Sequence, residues 1–397
     1  MNKKSFFIFL ALICISLLQQ SFAQSVKPWF SNAIKTIEYQ LTHAAKIYTP
    51  GQNPRSVTCD QIRLVNYKDW TTGFFPGSLW YGYELTGNKV LAADAKRFTL
   101  ALDSIRYITT THDLGFMLYC SYGNAWRLTK DNIYLSVLQD GARHLAARFD
   151  PKVGAIRSWD AGKWKFPVII DNMMNLDFLY WAAGQYKQTD YTRIASAHAQ
   201  TTLKNHFRKD YSSYHVVDYD PLTGQVLRKV THQGLTDESA WARGQAWGLY
   251  GYAMCYSYTK DPAFLAQAQH IADFIIHHPR MPKDKIPVWD FDVHNADDEE
   301  GRAPRDASAA AVIACGLLDL SIAVKNGKVY SDYAAAILES LSSEKYLATP
   351  GSNHYFILKH SVGAFLYNSE TDTPLNYADY YYLEALKKYA ALNKINL

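Results

Sequence analysis

Two aspartates in apolar surroundings define the chemistry this chain can attempt. Asp171 lies in Ile169-Ile170-Asp171-Asn172-Met173-Met174-Asn175, between β-branched residues and methionines and ahead of a helical run. A carboxyl in such a setting keeps its proton to higher pH, as a general acid must. Asp113 lies in His112-Asp113-Leu114-Gly115-Phe116, at the start of an aromatic helical run. Together the two offer the paired carboxylates of sugar-hydrolase chemistry. Aspartate at a helix start is also a common N-cap, and the sequence leaves that role open for both.

Other polar and aromatic residues gather in segments of the same kind. Trp70 precedes a helix in Asp69-Trp70-Thr71-Thr72-Gly73-Phe74-Phe75-Pro76-Gly77, where it lines a cleft or packs a hairpin. His232-Gln233-Gly234 runs toward Trp241-Ala242-Arg243-Gly244-Gln245-Ala246-Trp247, and Arg243 and Trp247 share a helix face. A guanidinium beside an indole suits a sugar that carries a carboxylate; a structural ion pair for Arg243 is the other reading. Trp289-Asp290-Phe291-Asp292 and Arg305-Asp306-Ala307-Ser308 flank an acidic stretch, Asp297 to Glu300. That stretch reads as a solvated loop, its spacing does not match an EF-hand, and Asp306 reads as the N-cap of the Ala-rich helix behind it. Of the 397 residues 14% are aromatic, with 29 Tyr, 18 Phe and 10 Trp. Such rings either fill a core or stack on sugars.

Several chemistries lack their signatures. There is no HExxH and no His pair at ligand spacing beside a carboxylate, so no metal is expected. GxSxG is absent, which removes the common serine-hydrolase arrangement. No GxxxxGK[ST] occurs and no GxGxxG follows a strand, so nucleotide cofactors have no support and no cofactor is expected. The formal charge is +4 with no Lys/Arg run, which argues against nucleic acid. Lys163, Lys165, Arg228 and Lys229 suit anions such as sulfate, or are ordinary surface charge. Cys59, Cys120, Cys255 and Cys315 show no CxxC spacing and are expected to be free and buried.

The elements that must position these residues are helices in pairs. Trp29 to Tyr48 carries apolar residues at helical spacing, through Phe30, Ile34, Ile37, Leu41 and Ala44. Similar patterns recur, broken by polar turns at residues 85–88, 128–131, 188–190, 258–261 and 325–327. The spacing is too long and irregular for a short-repeat solenoid. With the C-terminal helix Tyr377 to Leu392 it implies about a dozen helices, which close into a double-layered ring around a cavity. One hairpin is expected, Tyr214 to Tyr219 and Val226 to Val230 around Pro221-Leu222-Thr223-Gly224. Met1 to Ala23 reads as a secretory signal: Lys3 and Lys4, an apolar run from Phe6 to Leu18, and cleavage near Ala23. Residues 24–397 then form a single domain, exported and expected in the periplasm, and no stretch is expected to span a membrane.

Taken together, these segments resemble the unsaturated glucuronyl hydrolases, glycoside hydrolase family 88. The resemblance runs in order through the Trp70–Gly77, His112–Phe116, Asp171–Asn175, His232–Trp247 and Trp289–Ala309 segments, over most of the chain. It implies an all-α (α/α)6 barrel and a reaction at the C4=C5 double bond of a terminal 4,5-unsaturated uronic acid. A proton goes to C4, water adds at C5, and the hemiketal opens to release the neighbouring sugar. By the same resemblance Asp171 is the acid and base and Asp113 its partner carboxylate. His112 and His215 are polar cleft residues, Gln233 and Arg243 hold the uronate, and Trp70, Trp159 and Trp247 form walls. The implied partners are unsaturated uronyl di- and oligosaccharides of glycosaminoglycan type. The competing readings are an unsaturated rhamnogalacturonyl hydrolase acting on pectin fragments, an (α/α) polysaccharide lyase, and a non-catalytic glycan-binding envelope protein.

Overall fold

The computed structural model describes residues 26–293 and 303–397. The expected signal segment, residues 1–23, and the acidic stretch at 297–300 lie outside them. Twelve α-helices are present among the described residues. They alternate between an outer and an inner layer. The outer helices are α1 (Pro28–Ile47), α3 (Lys89–Leu100), α5 (Leu135–Ala146), α7 (Thr189–Asn205), α9 (Pro262–His277) and α11 (Lys328–Leu341). The inner ones are α2 (Phe74–Thr86), α4 (Asn124–Thr129), α6 (Leu176–Tyr186), α8 (Ala242–Thr259), α10 (Ala307–Ala323) and α12 (Asn376–Leu392). A π-helix, Gly115–Gly123, leads directly into α4, and a 3₁₀ turn, Ile170–Asn175, into α6.

Burial separates the layers. Outer α1 buries one stripe, with Phe30, Ala33, Ile37, Leu41 and Ala44 inside and the opposite face in water. Inner α8 is buried without a break from Ala242 to Cys255, and α10 from Ala307 to Leu318. A helix buried all round must carry small residues where backbones approach, which explains the alanine run at Ala309–Ala311.

The five turns expected from the sequence all fall between helices of successive layers. Inner helices α4, α6 and α8 end on Lys130, Lys187 and Lys260, each with φ near +57° (56°, 56° and 58°). The ammonium groups sit at the negative ends of the helix dipoles. Asn88, Asp261 and Asp306 cap the N-termini of α3, α9 and α10 through their side chains. Because the hairpins alternate, all six inner helices run the same way. The loops before their N-termini meet at one end of the barrel, and that end carries the residues named above. The ring closes between α12 and α2, where the Asn376 amide donates to Pro54 O at 2.8 Å and to Thr71 O at 3.0 Å.

Small strands rim that end. β1 (Asn53–Thr58) and β2 (Gln61–Val65) form a hairpin, β3 (Phe149–Asp150) pairs with β4 (Ala155–Ile156), and β5 (Pro167–Ile169), β6 (Val216–Tyr219) and β7 (Val226–Val230) form a three-stranded antiparallel sheet. The expected hairpin is β6–β7; its β5 partner and the β1–β2 hairpin are additions. One expectation about the cysteines needs correction. Cys120, Cys255 and Cys315 are free and buried, but Cys59 is exposed, because it sits with Asp60 in the two-residue turn between β1 and β2. Both turn residues have positive φ (49° and 59°), the conformation that such a tight hairpin requires.

Gly73 marks the closest inner-layer approach. A Cβ there would press into the carbonyl oxygens of Phe116 and Met117, which are backbone atoms of the π-helix and cannot swing aside. Gly73→Ala is therefore expected to lower stability by about 1–3 kcal/mol, read by equilibrium denaturation; an unchanged midpoint would show that the two segments can part at no cost.

Candidate active site

Backbone pairing at the rim brings distant residues together. In the sheet, Ile169 pairs with Val216, and Val216 with Val230. Asp171, just past β5, His215, just before β6, and His232, just past β7, therefore emerge at one end of the sheet. The Ile170 amide donates to His215 O at 3.1 Å and extends the register by one step. Ser158 ties in the next segment: its amide donates to Pro167 O and its hydroxyl accepts from the Ile169 amide at 3.0 Å. Its carbonyl accepts from the His112 amide at 3.0 Å, while Trp159 pairs with Thr111. Asp113 thus reaches the same opening as Asp171.

These residues enclose a cavity of about 420 Å³. Trp70, His112, Asp113, Trp159, Asp171, His215 and Gln233 line it. A larger hollow of about 870 Å³ lies beyond Glu370, between the β1–β2 turn and residues 351–374, and contains neither aspartate. The smaller cavity is the one with acid–base chemistry.

Neither carboxylate is spent on a helix cap. Asp113 accepts from the Thr111 hydroxyl at 2.7 Å and lies 3.2 Å from His112 Nε2. The Asp171 carboxyl is buried, and its Oδ2 has no hydrogen-bond partner. Burial pushes its pKa up to about 7; the Asp113 charge adds to the rise, and the Arg243 charge opposes it. His215 Nε2 sits 3.6 Å from Asp171 Oδ2. The ring's other nitrogen, Nδ1, accepts backbone N–H donors from His232 at 3.1 Å and Gln233 at 3.0 Å. An Nδ1 that accepts two donors carries no proton, so the neutral ring bears its proton on Nε2, facing Asp171. Burial lowers the His215 pKa well below the ordinary value and keeps the ring neutral.

Two expected contact residues stand elsewhere. Arg243 is fully buried and does not line the cavity. It pairs with Asp306 at 3.1 Å and donates to the carbonyls of Val362 and Gly363. The rings of Trp241 and Tyr377 lie against its guanidinium, at 4.6 and 5.3 Å. A guanidinium so committed cannot grip a uronate in this arrangement; it holds residues 362–363, and Gly363 forms part of the cavity wall. Asp306 therefore does two jobs, as N-cap of α10 and as partner of Arg243. Trp247 is likewise buried, between Phe116 and Tyr381, and offers no open face to a sugar. Its indole N–H has no hydrogen-bond partner among the described residues. Gln233 lines the cavity and also donates to Gly363 O at 2.8 Å, from the same side as Arg243.

The sequence reading missed the opposite wall. Glu370 is a buried carboxylate that takes Arg55 through Nε at 2.7 Å and Nη2 at 2.9 Å, the Ser56 hydroxyl at 2.7 Å and Arg63 Nη1 at 3.2 Å. Adjacent strand residues normally point to opposite faces. Here the β1–β2 register slips between Pro54 and Ser56, and the bulge at Arg55 turns both Arg55 and Ser56 toward Glu370. Arg55 also reaches Asp69 at 2.8 Å and lies 5.9 Å from the Trp70 ring, steadying that wall. Across the mouth, the Tyr367 hydroxyl meets His232 Nδ1 at 2.9 Å. The loop around Glu370 carries no recognisable motif; only Arg55 and Arg63, on the two strands of the β1–β2 hairpin, hinted at a buried carboxylate partner.

Comparison with known proteins gives the family. No family model matches the chain. The unsaturated glucuronyl hydrolase of Formosa agariphila is 46% identical over 348 residues, which cover 86% of each protein. The chain belongs to the unsaturated glucuronyl hydrolases. It is accordingly a glycoside hydrolase, and its ring of helices is the (α/α)6 barrel of that family. A crystal structure of an unsaturated glucuronyl hydrolase specific for heparin matches with a TM-score of 0.92 at 66% identity, covering 94% of this chain and 100% of that one. A variant of the Streptococcus agalactiae unsaturated glucuronyl hydrolase, solved with dGlcA-GalNAc6S, matches with a TM-score of 0.77 at 28% identity over 91% of each chain.

The buried ion pair behind the cavity of this unsaturated glucuronyl hydrolase is a stability element. Asp306→Ala would strand the Arg243 charge in the core and is expected to cost about 3–5 kcal/mol in a denaturant titration. A loss confined to substrate affinity, with stability intact, would instead assign Arg243 to binding.

Proposed function

We propose that the protein removes the terminal 4,5-unsaturated uronic acid from heparin-type lyase products, with Asp171 as the acid and base. The observation that carries this reading is an uncapped, buried carboxyl on the wall of a saccharide-sized cavity, faced by a second carboxylate and by a neutral histidine. The heparin assignment rests on the 66% identity to a hydrolase specific for heparin.

The reaction follows from these groups. The protonated Asp171 gives its proton to C4, and the positive charge that develops is shared by C5 and the ring oxygen. Asp113, anchored by Thr111 and flanked by His112, supplies fixed negative charge to stabilise it. Water adds at C5 and its proton returns to Asp171, so one water is added across the double bond and the carboxyl is regenerated. The hemiketal then opens to a ketone and expels the next sugar as its alcohol. His215 donates from Nε2 toward Asp171 and steadies the carboxylate when the proton leaves. Trp70 and Trp159 supply apolar walls for the sugar ring.

Export belongs to the same proposal. The charged start, apolar run and small-residue end of residues 1–23 support a cleaved signal, with residues 24–397 acting outside the cytoplasm. No described helix is long and apolar enough to cross a membrane.

The test follows the loss of absorbance of the conjugated double bond on unsulfated heparin-type disaccharide. Asp171→Asn is expected to lower kcat by about 10²–10⁴-fold, and Asp113→Asn to lower it as well; survival of activity in both would overturn the assignment. Because the acid must be protonated, kcat/KM should be full below pH about 7, the pKa of Asp171, and fall tenfold per unit above it. The same carboxyl has a second signature. Its folded-state pKa is raised, so the native protein binds more protons than the unfolded chain between about pH 4 and pH 7, and stability declines as pH rises through that window. At pH 8, Asp171→Asn should therefore melt higher than the parent protein; a lower melting temperature would argue against a buried charge at this position.

A further inference from the structure

We infer a second saccharide platform outside the catalytic cavity, formed by Trp164 and Arg228, that takes the uronate of a third sugar in longer substrates. The inference rests on the proposed function, because glycosaminoglycan chains alternate hexosamine with uronate. With the first, unsaturated uronate set in the cavity and the hexosamine following it, the third sugar again carries a carboxylate.

The platform continues the cavity wall. Trp159 lines the cavity, and the Trp164 ring stands edge-on to it at 5.9 Å and 82°. Trp164 is half-buried, like Trp159, and its neighbour Lys163 is exposed. The Arg228 guanidinium lies 4.4 Å from the Trp164 ring centre. Stacked together, an indole and a guanidinium with a free Nη1 present an apolar surface beside an anion donor, which together match a pyranose bearing a carboxylate.

What separates Arg228 from an ordinary surface charge is its mounting. The carboxylate of Asp218, on β6, is buried, and its Oδ1 accepts the amides of Lys165 at 3.0 Å and Phe166 at 2.9 Å. Its Oδ2 accepts Arg228 Nε at 3.2 Å and Nη2 at 3.0 Å. Nη2 also reaches Lys163 O at 3.2 Å. Nη1 has no hydrogen bond to a described residue, and the side chain is 35% exposed. A buried carboxylate thus fixes the guanidinium through Nε and Nη2 and leaves Nη1 to donate, so little side-chain entropy remains to be lost on binding. The same two strands end at His215 and His232, which makes platform and catalytic centre parts of one sheet. The exposed Lys163 ammonium, 5.7 Å from the Trp164 ring, adds charge of the same sign.

The experiment compares unsaturated di- and tetrasaccharides from the same unsulfated heparin-type polymer. The parent protein should show the higher kcat/KM on the tetrasaccharide, with the difference lying in KM and shrinking as salt is raised. Arg228→Gln and Trp164→Ala should each lower the tetrasaccharide kcat/KM by about tenfold and leave disaccharide turnover unchanged, which also shows that the variants are folded. Equal losses on both substrates, or no loss on the tetrasaccharide, would overturn the platform. Calorimetric titration of Asp171→Asn protein with both saccharides separates this inference from the reaction. Tighter tetrasaccharide binding that disappears on adding Arg228→Gln supports the platform even if turnover fails, and equal affinity for the two lengths rejects it.

Discussion

Burying one carboxyl group organises this molecule. Removing an ionisable group from water favours its neutral form, and for Asp171 that moves the pKa into the range where a proton can be both given and recovered. The condition is demanding, because almost any strong donor nearby would restore the ordinary acidity. The structure meets it by burying the side chain without a helix-capping bond, by setting a neutral histidine 3.6 Å away, and by tying the buried Arg243 to another carboxylate. Arg243 still opposes the shift through space, but its hydrogen bonds go to Asp306 and to the 362–363 backbone. The charge balance around Asp171 is therefore set partly by Asp113 in the cavity and partly by Arg243 and Asp306, which do not touch it.

The barrel supplies that environment through parallel inner helices. Their N-termini face the site and their partial positive charge favours an anionic ligand there. Among the inner helices Phe74, Phe116, Trp247 and Tyr381 meet at ring separations of 5.2 to 5.9 Å and form a buried aromatic layer. Helices alone do not fix the register of the catalytic side chains. That falls to the small sheet and to the strap through Ser158, in which main-chain hydrogen bonds join segments near residues 112, 158, 169, 215 and 231.

Much of this was legible in the sequence, for identifiable reasons. The helices announced themselves because apolar spacing and polar turns are local signals, and all five turns fall where expected. Asp113 and Asp171 stood out because a carboxyl among apolar residues is rare unless it has work to do. What sequence could not resolve was which side chain faces which way on a helix buried all round. Arg243 and Trp247 share a face, but that face looks into the core, toward Asp306 for one and Phe116 for the other. Cys59 looked like any other small buried thiol, yet occupies a hairpin turn that no glycine advertised. The Glu370 hub was invisible for a different reason: Arg55 and Glu370 are separated by 315 positions, and only ring closure makes them neighbours.

The sheet register has a consequence for how such a chain can vary. Asp171, His215 and His232 are aligned by strand pairing, and side chains in a strand alternate between faces. A single residue inserted into β5 or β6 would turn one member of the group away from the cavity while leaving the helical barrel intact. Substitutions in these strands are absorbed as changes in packing; changes in their length are not. Family members should therefore drift freely in the lengths of the distal turns between helices, while the spans immediately flanking Asp171 and His215 keep a constant residue count.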